Sequence, residues 1–537
     1  MRLTDKGLCS AETWTEKKYD LFSFDREQMR KQTKLTPQWV HFGAGNIFRA
    51  YQTMLMQKLL NEGKCNTGLI AVEGYDYEIV KGTLHPHDDL NILVTLKACG
   101  EVEKTVIGCV ARSLVLDRKD EDWAELEAIF ANPSLQMASF TITEKGYQIS
   151  DTRGELLPVI QADITAGPDH SESYLGRVTS LIAHRYHNGA ASLALVSMDN
   201  CTHNGEKLQN AVLTIARGWV AEGKIESGFE DYLTCSDKIA FPWTMIDKIT
   251  PRPDTSIMEI LKEDGVEEIE PVITEKKTYI APFVNAEECE YLVIEDAFPN
   301  GRLPLEETGV LFCDRETVKK VEKMKVSTCL NPVHTGLAVF GCLLGFDKIS
   351  EEMKDPDLSV MAEKIGRVEG LPVVTDPGIL EPEKFLNEVL TLRIPNPFMP
   401  DTPQRIATDT SQKLSVRYGE TVKSYLAEGK DIHDLKVIPL VYAGWLRYLL
   451  GIDDRGQKME LSPDPMLNQL CPLLAEITVS TEPQDLSNVR DILKNKIIFG
   501  FDMEEAGLMP VVLDLFSAML QGPGAVRKTV HSQCNCK

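Results

Sequence analysis

The sequence predicts an α/β N-terminal dinucleotide-binding (Rossmann-like) domain followed by a mainly α-helical C-terminal domain. Three observations carry this. A glycine turn, Gly43-Ala44-Gly45, joins a short apolar strand pattern to a helical one. Strand and helix patterns alternate after it, which calls for a parallel sheet covered by helices. Beyond the turn-rich Phe298-Pro299-Asn300-Gly301-Arg302-Leu303-Pro304 the pattern is mainly helical to the end.

Residues 1–35 are polar and charged and read as an N-terminal extension. Gln38-Trp39-Val40-His41-Phe42 is the first strand. Ile47, Tyr51, Leu55 and Leu59 then recur at helical spacing, and Gly63 is the stop. Leu69-Ile70-Ala71-Val72 is the second strand and ends at Glu73. Further strands are expected at Ile92–Leu96, Ser139–Thr143 and Ser192–Val196, with helices around Trp123–Phe130 and Tyr174–Tyr186. A chain of 537 residues is too long for one core. The expected division is an extension over 1–35, a dinucleotide-binding domain over 36–312 and a helical substrate-binding and catalytic domain over 313–537.

Hydrophobic residues make up 43% and charged residues 26%, ordinary globular values. The formal net charge of −24 repels nucleic acid and anionic membrane, so neither is expected as a partner. The 13 cysteines follow no repeating spacing, and MRLTDKGLCSAETWTEKKYD lacks the apolar core of a signal peptide. The expectation is a reduced, cytoplasmic chain. No stretch approaches the roughly 18 apolar residues of a membrane helix. The sequence sets no oligomeric state.

The turn Gly43-Ala44-Gly45-Asn46-Ile47-Phe48-Arg49 carries two of the three usual glycines. The first allows a tight turn, and the second lets backbone approach a pyrophosphate at a helix start. Phe48 holds the third place, so helix and strand pack less closely. Glu73 stands where an acid accepts the adenosine ribose hydroxyls and repels a 2′-phosphate, which points to NAD. A solvated carboxylate is the alternative for Glu73, and Asp76 competes for the role.

Four further segments follow in order: Thr141-Ile142-Thr143-Glu144-Lys145-Gly146-Tyr147, Asp199-Asn200-Cys201-Thr202-His203-Asn204-Gly205, the run from Phe241 to Pro251, and Lys325 through Asn331 to His334. With the glycine turn they closely resemble the polyol-specific long-chain dehydrogenase (mannitol dehydrogenase) family. Tyr291–Asp296 and Arg405-Ile406-Ala407-Thr408-Asp409-Thr410-Ser411-Gln412-Lys413 are similar to it as well. The resemblance runs from about residue 38 into the C-terminal region. Residues 1–35 and roughly 255–288 look like additions.

The resemblance implies a metal-free, NAD(H)-dependent exchange between a sugar-derived ketone and a secondary alcohol. The long chain looks most like the branch that interconverts fructuronate and mannonate; a mannitol-type polyol dehydrogenase and a tagaturonate reductase are the alternatives. An NAD-binding sensor on the same fold is the non-enzymatic alternative.

Such a reaction needs a base for the hydroxyl proton and donors for the charged oxygen. Lys325 is the expected base, with desolvation lowering its pKa; for a lone lysine, the surface is the commoner place. Asn331 and His334, three apart, share a helix face. By resemblance Asn331 and Asn200 stabilise the oxyanion and His334 orients the substrate. Without it, Asn331 is a helix cap and His334 a core histidine. In the family pattern the lysine precedes the asparagine by five residues; here the interval is six (331 − 325), and a bulge would absorb one. Glu144 resembles a carboxylate that passes protons to solvent; its alternative is a salt bridge to Lys145 or another cation. Asp247, Arg405 and Lys413 match the substrate-binding positions.

His85-Pro86-His87-Asp88-Asp89 reads as a polar loop, since proline breaks any helical ligand spacing. Cys534 and Cys536 lack the partners of a zinc site and read as a frayed tail.

Overall fold

The strand that precedes the glycine turn, β1 (Trp39–Phe42), lies inside a six-stranded sheet in the computed structural model, which describes residues 1–535. The others are β2 (Leu69–Glu73), β3 (Val110–Val115), β4 (Met137–Phe140), β5 (Leu193–Ser197) and β6 (Ile239–Ala240). All pair in parallel, in the order β3-β2-β1-β4-β5-β6. Phe42 stands opposite Val72 on one side and Phe140 on the other. This doubly wound order reverses between β1 and β4, and the crevice at that reversal is where such sheets bind ligands.

Every residue of β1, β2, β4 and β5 is buried, as a parallel sheet covered on both faces requires. Successive residues serve opposite faces. Val40, Phe42, Val72 and Phe140 pack with α3 (Asp122–Ala131), α4 (Tyr174–His187) and α5 (Asn204–Ala221). Trp39, Leu69, Ala71 and Met137 pack on the other face with α2 (Thr53–Asn61). An earlier helix, α1 (Arg26–Leu35), gives Met29 to that second core.

Residues 1–35 are therefore built into the fold. Trp14 is fully buried and meets Tyr19 edge-on at 5.1 Å. The strand Tyr19–Asp20 edges a second sheet that continues through Val102–Ile107, Asn91–Leu96 and Phe283–Glu287. The expected strand at Ile92–Leu96 thus belongs to this mixed sheet and not to the parallel one. The expected strand at Ser139–Thr143 stops at Phe140, and a helical turn begins at Thr143.

The chain divides into two compact units: Met1–Lys97 with Glu101–Val318, and Ala98–Gly100 with the residues from Lys319 onward. The second is helical from Lys319 onward. Its core holds α6 (Asn331–Leu344) and α7 (Val437–Tyr448), the latter buried throughout. A Cβ on Gly444 would meet the Phe340 ring at 2.5 Å, so glycine lets α7 approach α6. Against the expectation that no stretch approaches a membrane helix, the helical run Arg315–Leu344 has the length and composition to cross a membrane, but 83% of its apolar window is buried inside the protein as a core helix would be.

Candidate active site

In the first unit, Gly43 has φ +105°, and a Cβ there would lie 2.2 Å from the Thr141 carbonyl oxygen. The turn thus requires glycine. Gly45 differs: a Cβ would meet nothing within 4 Å among the described residues. Packing leaves this glycine's surroundings open, and the space suits a phosphate group approaching backbone N–H groups at a helix start. A cavity of about 380 Å³ lies here, lined by Gly45, Asn46, Ile47 and Thr141 among others. The loop fits the pyrophosphate of a dinucleotide. Phe48, in the third motif position, stacks on His41 at 4.5 Å. His41 bonds Ser139 Oγ and Thr141 Oγ1 through its two ring nitrogens, and burial lowers its pKa to about 3.

Glu73 lies directly beneath this loop and is 5% exposed. Its Oε2 accepts the Ala44 N–H at 2.9 Å, and its Oε1 accepts the Tyr75 and Asp76 N–H groups at 2.8 and 3.2 Å. Burial raises its pKa, and these three backbone bonds oppose the rise. A carboxylate has about four acceptor positions. One is committed to the glycine loop through Ala44 and two to the turn after β2 through Tyr75 and Asp76, which leaves little for a ribose. Asp76 is also buried and accepts from Thr274 Oγ1 at 2.6 Å.

Glu144 and Asn200 are held by a residue the sequence reading did not single out. Asp199 accepts the N–H of Ile142 and of Thr143, both at 2.9 Å, and the Tyr147 hydroxyl at 2.6 Å. It thereby ties the turn carrying Glu144 to the loop carrying Asn200, and it holds Thr143 at φ +64°. Burial raises the Asp199 pKa, against those hydrogen bonds. Asn200 is exposed just after β5. Glu144 is exposed and pairs with Lys207 Nζ at 2.5 Å, not with Lys145. Asp247 ends the strand Thr244–Asp247 and is buried opposite Tyr291.

The helix Arg315–Met324, whose residues from Lys319 onward belong to the second unit, runs into a π-helical turn, Lys325–Cys329. The Leu330 N–H donates to the Lys325 carbonyl at 3.1 Å, five residues back. A π turn holds one residue more than an α turn. It takes up the one extra position in the six-residue interval from Lys325 to Asn331 before α6 begins. Lys325 is 3% exposed. Asn331 opens α6, with Pro332 in its first turn.

His334 and Arg405 meet at one carboxylate. Asp401 Oδ2 lies 3.6 Å from His334 Nε2, and Asp401 Oδ1 takes the Arg405 guanidinium. The Asp401 side chain is 8% exposed and that of Arg405 58%. Lys413 Nζ donates to the carbonyls of Thr408 and Ile406, so it closes its own loop. Burial lowers its pKa, and neighbouring Arg417 adds to that.

Arg417 is a further cation missed in the sequence. Its guanidinium donates to Thr335 Oγ1, and Thr335 Oγ1 donates to the Asn331 carbonyl at 2.9 Å. The Tyr418 hydroxyl donates to the Pro332 carbonyl at 2.5 Å. Arg417 and Tyr418 thus brace the first turn of α6, beside His334. Burial lowers the Arg417 pKa to about 10, which leaves it charged at neutral pH. Among the described residues no carboxylate pairs with it. Signals existed for both missed residues: Asp401 lies four before Arg405 and Arg417 four after Lys413 (405 − 401; 417 − 413).

The discounted motifs have structural roles. His85 bonds the Ser113 carbonyl, His87 the Leu3 carbonyl, and Asp89 the Ser113 hydroxyl. Cys534 is buried in the helix Ala525–Asn535; Cys536 lies outside the described residues.

Two family models cover most of the chain. Residues 37–307 match the mannitol dehydrogenase Rossmann domain, and residues 317–516 match the mannitol dehydrogenase C-terminal domain. The chain is 49% identical to a D-mannonate oxidoreductase of Thermotoga maritima over 511 residues, 95% of this chain and 94% of the relative. Among solved structures it is similar to a D-sorbitol dehydrogenase in substrate-free form, with TM-score 0.77, 24% identity and coverage of 94% and 97%. It is also similar to the ternary complex of Pseudomonas fluorescens mannitol 2-dehydrogenase with NAD and D-mannitol. There the TM-score is 0.68, the identity 24% and the coverage 99% of both chains.

Proposed function

The chain belongs to the mannitol dehydrogenase family, and on that premise we propose that it is a cytoplasmic, NAD(H)-dependent oxidoreductase that interconverts D-fructuronate and D-mannonate. The observation that carries the substrate is the Thermotoga maritima relative, whose identity extends over nearly the whole chain. The strand order and the open space at Gly45 support the cofactor.

NAD supplies the hydride acceptor in one direction and, reduced, the donor in the other. The segment Gly43–Arg49 receives its pyrophosphate, and Glu73 fixes the shape of that loop. Lys325 is the acid–base group. Its Nζ takes the hydroxyl proton when the alcohol is oxidised and returns one to the oxygen when the ketone is reduced. In this reading an ammonium, rather than a metal ion, neutralises the forming alkoxide. Asn331, at the start of α6, donates an amide N–H to the same oxygen as charge builds on it. His334 orients the substrate, and Asp401 fixes the imidazole. The family resemblance alone assigns Asn200 as a second donor, Glu144 as the proton relay and Asp247 as an acceptor from substrate hydroxyls.

The carboxylate of the sugar acid needs cations. Arg405 and Lys413 match the family positions, but one is committed to Asp401 and the other to backbone carbonyls. Arg417 carries a guanidinium with no carboxylate partner among the described residues, and we add it to the set. A planar guanidinium suits two-point binding of a carboxylate.

Initial rates with NADH and a panel of fructuronate, tagaturonate and fructose test this reading. Fructuronate should give the highest kcat/KM by at least about tenfold, one charge-assisted contact. Preference for fructose would move the chain to the polyol branch.

A further inference from the structure

The segment 255–288, set apart in the sequence as an addition to the family pattern, is tied to the glycine loop. Arg49 makes the connection and is 1% exposed. It donates to the Ala281 carbonyl at 2.6 Å and to Asn46 Oδ1 at 2.9 Å. Asn46 Nδ2 in turn donates to the Pro251 carbonyl at 3.4 Å. Asn285 Nδ2 holds the Arg252 carbonyl at 3.1 Å.

The hairpin formed by Val272–Ile273 and Tyr279–Ile280 is pinned to the far end of the same crevice. Thr274 Oγ1 donates to Asp76 Oδ2, and the Glu275 N–H donates to Glu78 Oε1 at 3.0 Å. The hairpin turn holds Lys277 at φ +62°, a left-handed conformation unusual for lysine, with its N–H on the Thr274 carbonyl at 2.9 Å. The Arg252 guanidinium lies 4.7 Å from the Tyr279 ring centroid, which favours a fixed plane for it.

These residues line the cavity at the glycine loop. Gly45 and Asn46 belong to its lining, and so do Arg252, Lys277 and Tyr279. Both cations are exposed. In a chain of net charge −24, two exposed cations beside the buried Arg49 at one phosphate-binding loop run against the composition. The single carboxylate in the lining, Asp199, already accepts two N–H groups and a hydroxyl.

We propose that Arg252, just before the added segment, and Lys277, within it, form a phosphate clamp that binds the cofactor's pyrophosphate together with the Gly45 backbone. The proposal rests on the dinucleotide reading and gives the addition a function. It also accounts for Asp76, whose carboxylate anchors the hairpin.

NADH fluorescence titrations on the full-length protein test it, with ADP and adenosine as competing ligands. The double variant Arg252→Ala/Lys277→Ala should weaken NADH and ADP binding at least about tenfold, the lower end for a charge-assisted contact. Adenosine, which has no phosphate, should bind unchanged. Lys276→Ala, a neighbouring lysine stacked on Tyr75 and outside the cavity lining, should stay within twofold of wild type. Arg252→Lys/Lys277→Arg, which keeps both charges, should recover most of the affinity.

NADH affinity within twofold of wild type in the double alanine variant would overturn the clamp. So would an equal loss of adenosine binding, which would mean a collapsed cavity. A loss confined to NADPH would also overturn it, by placing the cations at a 2′-phosphate. Wild-type protein that binds neither NADH nor ADP would instead refute the dinucleotide reading, and this inference with it.

Discussion

His334 Nε2 stands 3.6 Å from Asp401 Oδ2, while the other Asp401 oxygen holds the Arg405 guanidinium. Two residues matched to substrate binding, 71 positions apart (405 − 334), are therefore organised by one buried carboxylate. The Ile349 N–H donates to the Asp401 backbone carbonyl at 2.9 Å and fixes where that carboxylate can reach.

Asp401→Asn keeps the shape and removes the charge. Charge-assisted contacts contribute about 1.5–3 kcal/mol, or roughly 10- to 150-fold. We expect kcat/KM to fall by at least about tenfold with NADH affinity unchanged. His334→Ala combined with Asp401→Asn should cost much less than the sum of the single effects. Additive losses would show that Asp401 does not act through His334.

Glu73 separates two accounts of cofactor preference. If it holds the glycine loop, Glu73→Gln leaves one carbonyl oxygen where two carboxylate oxygens accept the Ala44, Tyr75 and Asp76 N–H groups, so an amide N–H₂ faces at least one of them. NADH affinity should then drop with no gain for NADPH. A switch to NADPH, read from kcat/KM with each cofactor, would assign Glu73 to the ribose instead.

Arg417→Ala should raise KM for a sugar-acid ketone at least about tenfold and leave KM for fructose within twofold. Equal effects on both would mean that Arg417 only braces α6 through Thr335.

Glu352 sets a pH dependence of stability. It is fully buried, neither carboxylate oxygen has a hydrogen-bond partner among the described residues, and burial pushes its pKa well above the usual carboxylate range. A carboxyl whose pKa rises on folding supports the folded state below its unfolded pKa of about 4.3. That contribution is lost as pH rises through the folded value. Glu352→Gln should therefore match the wild-type Tm near pH 4 and exceed it at pH 8. A lower Tm than wild type at pH 8 would contradict this.

The sheet is legible because β1, β2 and β5 are mostly apolar runs buried on both faces, with His41 inside β1 and Glu73 at the end of β2 among the polar exceptions. The end of β4 is not. Ser139–Thr143 reads as one strand, yet Asp199, 56 residues beyond Thr143, captures two of its N–H groups and bends it into a turn. Glu144 likewise finds Lys207 rather than adjacent Lys145, because pairing depends on the fold and not on adjacency. The π turn after Lys325 was foreseen only as a one-residue irregularity, since helical periodicity does not register a single widened turn. Asp401 sits in a proline-rich stretch without apolar period, and Arg417 lies off the apolar face marked by Leu414, Tyr418, Val422 and Tyr425, so only their four-residue spacing to matched cations hinted at them.

Lys325 carries the central claim, and single-turnover reduction of fructuronate by Lys325→Ala tests it most directly. The variant should fold, should bind NADH as wild type does, and should lose at least roughly 10²–10⁴-fold in rate, the range for one acid–base group. Lys323→Ala, at a half-exposed residue beside Glu420, should react normally. Near-normal reduction by Lys325→Ala would contradict the account, and the proton would have to come from another group.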